Sequence, residues 1–351
     1  MSAKRNINIA DLFCGMGGLT IGAIEAIKDF GANPNIKFAC DIDPGAASFY
    51  KLNFSDFISE FHAGDISEML SEDFHAELSD VERNFDFSSG GLDYLFAGPP
   101  CQGHSNLNNH SRRNDPRNFL YLRTIRFIQV ARPKYFMIEN VPSVIHSQEN
   151  VVAKSIRLLE GFGYSVRELV VDFLRLGIPQ SRKRHVVVGC LDDDIDRISA
   201  GIYTEERRSL ADVLGDLLDA PQVGMFDTPS KMTADNLNRV RYLFDTESYD
   251  LPNELRPPCH QGKHSYKSMY GRLEWNGVAQ TLTSGFGSMG QGRYVHPLRK
   301  RVITPHEAAR IQGLPDWLNY SEVKMRSNLQ KMIGNAVPPA LSNRFVKSTL
   351  G

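Results

Sequence analysis

The stretch NINIADLFCGMGGLTIGAIEAIKDF, residues 6–30, predicts the start of an α/β fold. Its first eight residues are mostly apolar and end at Phe13, which is typical of a buried strand. A glycine-rich turn follows, and from residue 19 the apolar residues recur at spacings of three and four, which indicates an amphipathic helix. A strand, a glycine turn and a helix in this order form the first half of a βαβ unit. The stretch therefore predicts a parallel sheet with a ligand-binding turn after its first strand.

The alternation of strands and helices continues through the first half of the chain. Strands are predicted at 6–13, 36–42, 57–66, 93–98, 134–140, 164–174 and 184–191, and helices at 19–30, 118–131 and 151–163. This order favours an α/β fold with a doubly wound, mainly parallel sheet covered by helices on both faces. After Leu191 the sequence is polar and helix-like to about Leu218. It is then rich in Pro, Gly, Ser and Asn until about Ala279, which predicts a second, smaller domain.

Composition argues against several classes of protein. The 351 residues carry a net charge of −1 and contain no run near the ~18 consecutive apolar residues of a membrane span. The first ten residues lack the apolar core of a signal peptide, so we expect a soluble, cytoplasmic protein. Five widely spaced cysteines without a Cys-x-x-Cys pair argue against disulfides and a zinc ribbon. No metal is predicted, although Cys259, His260 and His264 form a small cluster.

Charge is distributed unevenly along the chain. From Asp65 to Asp93 there are nine acidic residues and one basic residue. The basic segment, residues 256–301, has eight basic residues and a single acidic one, Glu274. The eight are Arg256, Lys263, Lys267, Arg272, Arg293, Arg299, Lys300 and Arg301. Such an excess is typical of a surface that contacts a polyanion, although a solvated basic surface explains it equally well.

The loops after the first three predicted strands suit a nucleoside. The first carries Gly15, Gly17 and Gly18, which allow close approach of a ligand to the backbone. Thr20 stands where a dinucleotide fingerprint has its third glycine, which weakens the pyrophosphate interpretation. The second strand ends at Asp41, whose carboxylate can accept two ribose hydroxyls, and the third at Asp65, which can accept an exocyclic amine. Each carboxylate can instead cap a helix.

The loop after the fourth strand contains GPPCQG, residues 98–103, in which two prolines precede Cys101. A thiol attacks carbon as its thiolate and needs a lowered pKa or an acid–base partner. Glu139 follows the neighbouring strand, and it suits this place if it carries a proton or shares one with a substrate ring nitrogen. Arg182 and Arg184, two residues apart, can face one side and orient a carbonyl oxygen, although such a pair usually lies on the surface.

Nine motifs occur in the order and spacing of one known family. They are DLFCGMGGL, ACDIDP, GDI, GPPCQGHS, ENV, QSRKR, the Thr281-Leu282 dipeptide, TPHEAARIQGLP and IGNAVPP, between Ile9 and Pro339. The sequence resembles the DNA (cytosine-5)-methyltransferases of bacterial type. The resemblance implies a Rossmann-like methyltransferase fold, a smaller target-recognition domain, and S-adenosylmethionine as the methyl donor, with S-adenosylhomocysteine as product. It also implies a discontinuous catalytic domain, residues 1–190 and 302–351, around a target-recognition domain, residues 191–301.

The resemblance implies roles for the catalytic candidates. In that family the Pro-Pro-Cys thiolate, here Cys101, adds to carbon 6 of a cytosine flipped out of double-stranded DNA. The glutamate of ENV, here Glu139, bonds and protonates ring nitrogen 3, which makes carbon 5 able to accept the methyl group. Arg182 and Arg184 would hold the flipped base and its neighbours.

The resemblance also implies a set of cofactor-binding residues and part of a nucleic-acid-binding set. The cofactor set has Asp41 on the ribose, Ile42 against the adenine and Asp65 at its amine. It comprises Phe13, Gly15, Gly17, Gly18, Asp41, Ile42, Asp65, Ile66, Pro99, Leu120, Asn335 and Ala336. The nucleic-acid set combines a clamp loop, residues 102–118, with the basic segment, and Thr281 resembles a phosphate contact. It comprises Gln102, Ser105 and Thr281, together with Lys267, Arg272, Gln291 and Arg293, which we infer from the basic segment itself and not from the resemblance as candidates for base reading. His104 departs from the family, which usually has phenylalanine there.

Three other functions fit parts of the sequence. A transfer-RNA cytosine-5 methyltransferase would use the same chemistry, and the basic segment with its Thr-Leu dipeptide favours DNA instead. A catalytically inactive nucleic-acid-binding regulator would not need Cys101, Glu139, Arg182 and Arg184 together. A nicotinamide dehydrogenase has no use for Pro-Pro-Cys and needs the third glycine. We expect a monomer that binds double-stranded DNA and no membrane, with a cognate restriction endonuclease as a candidate partner.

Overall fold

A computed structural model describes residues 4–85, 91–100, 118–146, 150–261 and 268–350. The chain divides into two compact units. The first unit consists of Met1–Asp172, Lys183–Thr204 and Pro339–Gly351, and the second of Phe173–Arg182 and Glu205–Pro338. Each unit is therefore assembled from segments that lie far apart in the sequence.

The secondary structure of the described residues is as follows. The strands are β1 (Asn6–Leu12), β2 (Asn33–Asp41), β3 (Phe61–Ala63), β4 (Tyr94–Ala97), β5 (Tyr135–Asn140), β6 (Ser165–Asp172), β7 (Gln180–Ser181), β8 (Lys183–Cys190) and β9 (Ala279–Gln280). The α-helices are α1 (Gly18–Asp29), α2 (Pro44–Phe54), α3 (Asp80–Arg83), α4 (Asn118–Ala131), α5 (Val151–Gly161), α6 (Ile195–Gly201), α7 (Leu210–Leu214), α8 (Ala234–Asp245), α9 (Pro305–Ile311), α10 (Arg326–Asn335) and α11 (Pro339–Leu350).

The first unit is built on a seven-stranded sheet in the order β3-β2-β1-β4-β5-β8-β6. The pairs formed among β1 to β5 are parallel, and β8 is antiparallel to both of its neighbours. From β1 the chain moves outward to β2 and β3, then returns to place β4 on the other side of β1. Because the strand order reverses between β1 and β4, their carboxyl ends border the crevice where such sheets bind ligands.

Residues of the sheet alternate between two covered faces. Leu95 and Ala97 of β4 belong to a buried cluster that includes Ile125 of α4. Tyr94 and Phe96, which point to the opposite face, have ring contacts with Phe345 of α11. Burial on both faces is what a run of consecutive apolar residues in a strand predicts. The doubly wound, mainly parallel sheet predicted from the sequence is confirmed.

The contact between α1 and α11 is close because of a glycine. A Cβ atom on Gly22 of α1 would lie 1.9 Å from the backbone oxygen of Pro339. The hydroxyl of Ser342 donates a hydrogen bond of 2.6 Å to the backbone oxygen of Leu19. The helix that follows the second unit in the sequence therefore packs directly on the first helix of the chain.

The second unit has its own small core and a two-stranded parallel sheet of β7 and β9. A cluster of buried apolar residues joins α8 to the segments around β9: Val240, Leu243, Leu251, Met269, Tyr270, Met289, Val295 and Val302. The helix α9 begins with a capping box, in which the hydroxyl of Thr304 accepts from the Glu307 amide and the Glu307 carboxylate accepts from the Thr304 amide.

Two details of the sequence-based prediction differ from the structure. The strand predicted at 57–66 is confined to β3, because Asp65 caps the short 3₁₀ helix Ile66–Glu68 and ends the extended backbone. Helix α8 lies in the region for which the sequence predicts no regular element. Its buried residues are Val240 and Leu243, so its apolar pattern is weak. In the division into units, residues 191–204 group with the first unit and residues 173–182 and 302–338 with the second, and the domain bounds drawn from the sequence stay a prediction. Within the described residues, no helix combines the length and apolar character needed to cross a membrane.

Candidate functional site

The turn between β1 and α1 has a backbone that favours glycine. Phe13, Gly15 and Gly17 have φ angles of 55°, 55° and 86°. A Cβ atom on Gly17 would lie 2.5 Å from Cε2 of Phe54, so this position has no room for a side chain. A Cβ atom on Gly15 would meet no described atom within 4 Å, so its backbone borders open space. Helix α1 starts at Gly18, and the turn thus presents a helix N-terminus and bare backbone to the crevice.

A carboxylate at the end of β2 ties this turn to the neighbouring strand. Oδ2 of Asp41 accepts a hydrogen bond from the Gly15 amide at 2.7 Å, and Oδ1 accepts from the Asp43 amide at 2.8 Å. Next to it, Ile42 leaves 67% of its surface exposed. An exposed aliphatic side chain beside an oriented carboxylate offers an apolar face and a hydrogen-bond acceptor at one point of the crevice.

The remaining predicted cofactor residues of the first unit are Asp65, Ile66, Pro99 and Leu120. Oδ1 of Asp65 accepts from the Ser67 amide at 2.8 Å, so the helix-cap interpretation of this carboxylate is realised. Its contact with an exocyclic amine stays a prediction. Ile66, Pro99 and Leu120 are buried.

Thr20, which replaces the third glycine of the fingerprint, belongs to a buried polar network. Its hydroxyl donates to Oδ2 of Asp11 at 2.6 Å and lies 2.7 Å from the hydroxyl of Tyr50. Burial raises the pKa of Asp11 to about 8, and the hydrogen bond from Thr20 only partly offsets this. The network links β1, α1 and α2 beneath the glycine turn, a role that the fingerprint comparison did not suggest.

Glu139, at the end of β5, forms a buried ion pair with Arg184 of β8. The distance between Oε1 of Glu139 and Nε of Arg184 is 2.7 Å. Burial lowers the pKa of Arg184, while the Glu139 carboxylate acts in the opposite direction. A Cβ atom on Gly98 would lie 3.8 Å from Oε2 of Glu139 and 3.9 Å from the backbone oxygen of Phe13. The space above Gly98 therefore joins the proposed catalytic carboxylate to the glycine turn.

Asn140 fixes the start of the loop that leads to Cys101. Its side-chain amide donates a hydrogen bond of 3.1 Å to the backbone oxygen of Pro99, and its Oδ1 accepts from the Val141 amide at 2.8 Å. Sequence reasoning used only the glutamate of the ENV motif and did not assign a role to this residue. Its adjacency to Glu139 on a strand end was the available signal. Cys101, Gln102, Ser105 and Lys267 lie outside the described residues.

The first arginine of the Arg-x-Arg pair, Arg182, belongs to the second unit. Arg182 is buried, donates to the backbone oxygen of Gly334 at 3.2 Å, and lies over the ring of Phe173 with 5.6 Å to the centroid. The two arginines are therefore divided between the units, with Arg184 on Glu139 in the first.

The structure also describes the other predicted residues of the second unit. The hydroxyl of Thr281 donates to the backbone oxygen of Ser181 at 3.1 Å, beside the β7–β9 pairing. Asn335 is exposed at the end of α10 and Ala336 is buried next to it. Gln291 is exposed.

Several arginines and lysines of the basic segment have intramolecular partners. Arg272 donates to the backbone oxygen of Pro297 at 2.8 Å and covers the ring of Phe244 at 4.0 Å. Arg293 pairs with Asp250 at 2.5 Å and donates to two backbone oxygens. Lys300 pairs with Asp245, and Arg301 binds both oxygens of Glu307. These side chains stabilise the second unit, and base reading by Arg272 and Arg293 stays a prediction.

The small cluster of Cys259, His260 and His264 is described in part by the structure. Cys259 is an exposed free thiol, and Nδ1 of His260 lies 2.7 Å from the hydroxyl of Tyr270. His264 lies outside the described residues. In the part of the chain that the structure describes, no group of three or more His, Cys, Asp or Glu residues is arranged to hold a metal ion.

Comparison with known proteins identifies the family. The family model "C-5 cytosine-specific DNA methylase" matches residues 7–350. The Type II methyltransferase M1.BsuMI of Bacillus subtilis strain 168 is 42% identical over 340 residues, which cover 96% of this chain and 79% of that protein. The Type II methylase M.HgiDII of Herpetosiphon aurantiacus is 32% identical over 354 residues, covering 97% and 94%.

Solved structures share the fold. A DNA modification methyltransferase encoded within an E. coli prophage superposes with a TM-score of 0.67 at 24% identity, with 98% of each chain covered. The S. pombe Dnmt2 methyltransferase superposes with a TM-score of 0.65 at 18% identity, again with 98% of each chain covered. With a family model that spans nearly its whole length, this chain belongs to the C-5 cytosine-specific DNA methylases and is an enzyme of that family.

Proposed function

We propose that the protein methylates carbon 5 of a flipped-out cytosine in a short specific sequence of double-stranded DNA, with S-adenosylmethionine as donor and Cys101 as nucleophile. The observation that carries the proposal is the buried pair of Glu139 and Arg184 at the carboxyl end of β5. The ion pair orients the Glu139 carboxylate beside Gly98. Gly98 stands three residues before Cys101, the proposed nucleophile.

The chemistry requires a nucleophile and an acid together. Carbon 5 of cytosine is too weakly nucleophilic to take a methyl group while the ring is aromatic. The Cys101 thiolate would form a bond to carbon 6, and the electron pair of the C5–C6 bond becomes available at carbon 5 as Glu139 protonates nitrogen 3. After methyl transfer, loss of the carbon-5 proton to a base, return of the nitrogen-3 proton to Glu139 and cleavage of the C6–S bond restore the ring, the carboxyl group and the thiolate.

The ion pair gives the two oxygens of the Glu139 carboxylate different roles. Arg184 contacts Oε1 and holds the group in one orientation, so Oε2, on the side of Gly98, is the oxygen that would meet the base. Asn140 holds the backbone of Pro99, which limits where the following thiol can lie. Both contacts preorganise the groups that the addition step needs.

The residues at the strand ends fit an adenosyl ligand. S-adenosylmethionine, when bound, supplies an electrophilic methyl group. The open backbone at Gly15, the oriented carboxylate of Asp41 and the exposed face of Ile42 suit the amino-acid, ribose and adenine parts of that ligand. Asp65 would bond the adenine amine. The proposed pocket also includes Phe13, Gly17, Gly18, Ile66, Pro99 and Leu120, together with Asn335 and Ala336.

DNA binding would use the clamp loop and the second unit. The target base is inaccessible inside a duplex, so it must be extruded at a cost of a few kcal/mol. We assign Gln102 and Ser105 of the clamp loop to this step and Thr281 to a phosphate. Sequence reading is assigned to residues 191–301, with Lys267, Arg272, Gln291 and Arg293 as candidates. The catalytic domain would comprise residues 1–190 and 302–351.

The similarity to Type II methyltransferases supports a role in restriction–modification. In this setting the enzyme acts in the cytoplasm, on nucleoid DNA, as a monomer. Its cognate restriction endonuclease would cut the same sequence, and methylation by this enzyme would protect that site.

Expression in a methylation-free bacterial host tests the function. Bisulfite sequencing of the host DNA should reveal 5-methylcytosine at one position of a short recurring sequence. The Cys101→Ala variant should leave no methylation yet still bind DNA that contains this sequence, because addition to carbon 6 is lost while the binding surface is intact. Cys259→Ala, which removes an exposed thiol of the second unit, is the matched control and should methylate normally. Full methylation by Cys101→Ala would exclude the proposed nucleophile.

A further inference from the structure

Two glutamine side chains form a buried hydrogen bond across 132 residues of sequence. Gln180 lies in β7, and Gln312 directly follows α9. Nε2 of Gln180 donates to Oε1 of Gln312 at 2.7 Å. Both residues have no exposed surface. Burying two primary amides is unfavourable unless each polar atom finds a partner, so their remaining contacts are informative.

Each amide uses its other polar atom to reach a different segment of the second unit. Oε1 of Gln180 accepts from the backbone amide of Leu282 at 3.0 Å. Nε2 of Gln312 donates to the backbone oxygen of Ile333 at 2.9 Å and reaches that of Ala336 at 3.5 Å. The three links run from Leu282 through both glutamines to the end of α10, and we call this chain the glutamine relay.

The glutamine relay has a single direction. Every bond in it has its donor on the same side, so turning one amide over would place oxygen against oxygen and nitrogen against nitrogen. The links are therefore made together or lost together, because each lost partner would leave a buried polar group unsatisfied. The two backbone segments at the ends of the glutamine relay are therefore ordered together when its links are made and released together when they are lost.

We propose that Gln180 and Gln312 are positioning residues that couple cofactor binding to DNA binding. The inference rests on the proposed function, in which Thr281, next to Leu282, contacts a phosphate, and Asn335 and Ala336 contact the cofactor. A ligand that orders Asn335 and Ala336 fixes the acceptor end of the glutamine relay, and the relay then fixes the Thr281-Leu282 backbone. Cofactor binding thereby raises the affinity for DNA. By reciprocity, DNA must raise the affinity for the cofactor by the same factor.

Hydrogen exchange in the unaltered protein gives the first test. S-adenosylhomocysteine is added without DNA, and amide exchange is measured by NMR or by mass spectrometry of peptides that span residues 279–284. The Leu282 amide donates to Gln180 in the glutamine relay. We therefore expect this amide to exchange more slowly with S-adenosylhomocysteine than without it. Binding of S-adenosylhomocysteine with unchanged exchange at Leu282 overturns the inference alone. Failure of the ligand to bind at all overturns the proposed function and the inference with it.

Variants give the second test. The dissociation constant of a duplex carrying the methylated sequence is measured with and without S-adenosylhomocysteine, and the ratio is the coupling, which is typically about 5- to 150-fold in coupled systems. In Gln312→Leu, and in Gln180→Leu/Gln312→Leu, we expect the ratio to fall to about 1. Gln330→Leu is the control, because its amide in α10 bonds Ser230 outside the glutamine relay, and its ratio should stay as in the parent protein. A merely structural role would weaken both dissociation constants and leave their ratio unchanged, which would refute the proposal.

Discussion

The two oxygens of Glu139 have different neighbours, and this difference sets the geometry of the candidate site. Arg184 contacts Oε1, whereas Oε2 is on the side of Gly98. The absence of a side chain at Gly98 leaves a space between this carboxylate and the backbone oxygen of Phe13. A cytosine ring and a methyl donor would have to meet in that space, so its size is a functional property.

We predict that Gly98→Ala impairs catalysis without impairing folding. The added Cβ atom would lie 3.8 Å from Oε2 of Glu139 and 3.9 Å from the oxygen of Phe13, which is ordinary contact within the protein. It would nevertheless occupy the space of the reacting groups, and a misplacement of about 1 Å there can cost about 100-fold in rate. Measured kcat/KM should fall by about this factor with an unchanged Tm. Gly161→Ala, at an exposed glycine with open space around it, is the control, and normal turnover by Gly98→Ala would contradict the prediction.

At the scale of elements, helices α3 and α4 are joined by a buried ion pair. Glu82 accepts from Nε of Arg126 at 2.8 Å and also from the amides of Ser71 and Ser79. Burial by itself would raise the pKa of Glu82, but these hydrogen bonds outweigh it and lower the pKa to about 2. A carboxyl group whose pKa is lower in the folded state stabilises the fold above its unfolded pKa of 4.5, and this contribution is lost as the pH falls towards 2.

We predict that Glu82→Gln lowers the free energy of unfolding at pH 7 by about 3 kcal/mol, because it leaves a buried Arg126 without its counter-charge. The difference from the parent protein should shrink as the pH falls from 4.5 towards 2, since the parent then loses the same interaction. Urea unfolding at a series of pH values measures both. Asp80→Asn, whose carboxylate pairs with Arg83 where both side chains are exposed, is the control and should change stability by less than about 1 kcal/mol. A constant difference across this pH range would count against the role of Glu82.

The elements themselves were largely predictable from the sequence, and the long-range contacts were not. Most strands and helices of the first unit carry unbroken apolar runs or a helical period, which are local signals. Helix α8 buries little, so its pattern was too weak to recognise. The strand pattern placed Glu139 and Asp41 near strand ends, which is where they lie in β5 and β2, and their roles in the site stay predictions. The bond between Gln180 and Gln312 and the pairing of Arg293 with Asp250 join residues far apart in the chain, and no local pattern encodes them.

At the scale of the whole molecule, the basic segment is less positive than its sequence implies. Arg293, Lys300 and Arg301 form ion pairs with carboxylates that lie outside the segment. A net charge of −1 leaves no general attraction to DNA, so binding depends on the cations that are not already paired.

We predict a moderate salt dependence of DNA binding. If all eight basic residues contacted phosphates, the slope of log K against log salt concentration would be about −7, at roughly −0.9 per contact. With three of them paired internally, we expect a slope no steeper than about −4.5. Fluorescence anisotropy with the identified duplex at several salt concentrations measures the slope. A value near −7 would show that the ion pairs open when DNA binds.

The close packing of α11 on α1 has a consequence for synthesis of the enzyme. A ribosome makes the glycine turn first and α11 only after the second unit is complete, yet the first helix needs Pro339 and Ser342 against Gly22 and Leu19. A nascent chain therefore cannot complete the packing of α1 before residues 339–350 have been translated. A messenger truncated before Pro339 would yield a first unit whose helix α1 lacks this cover.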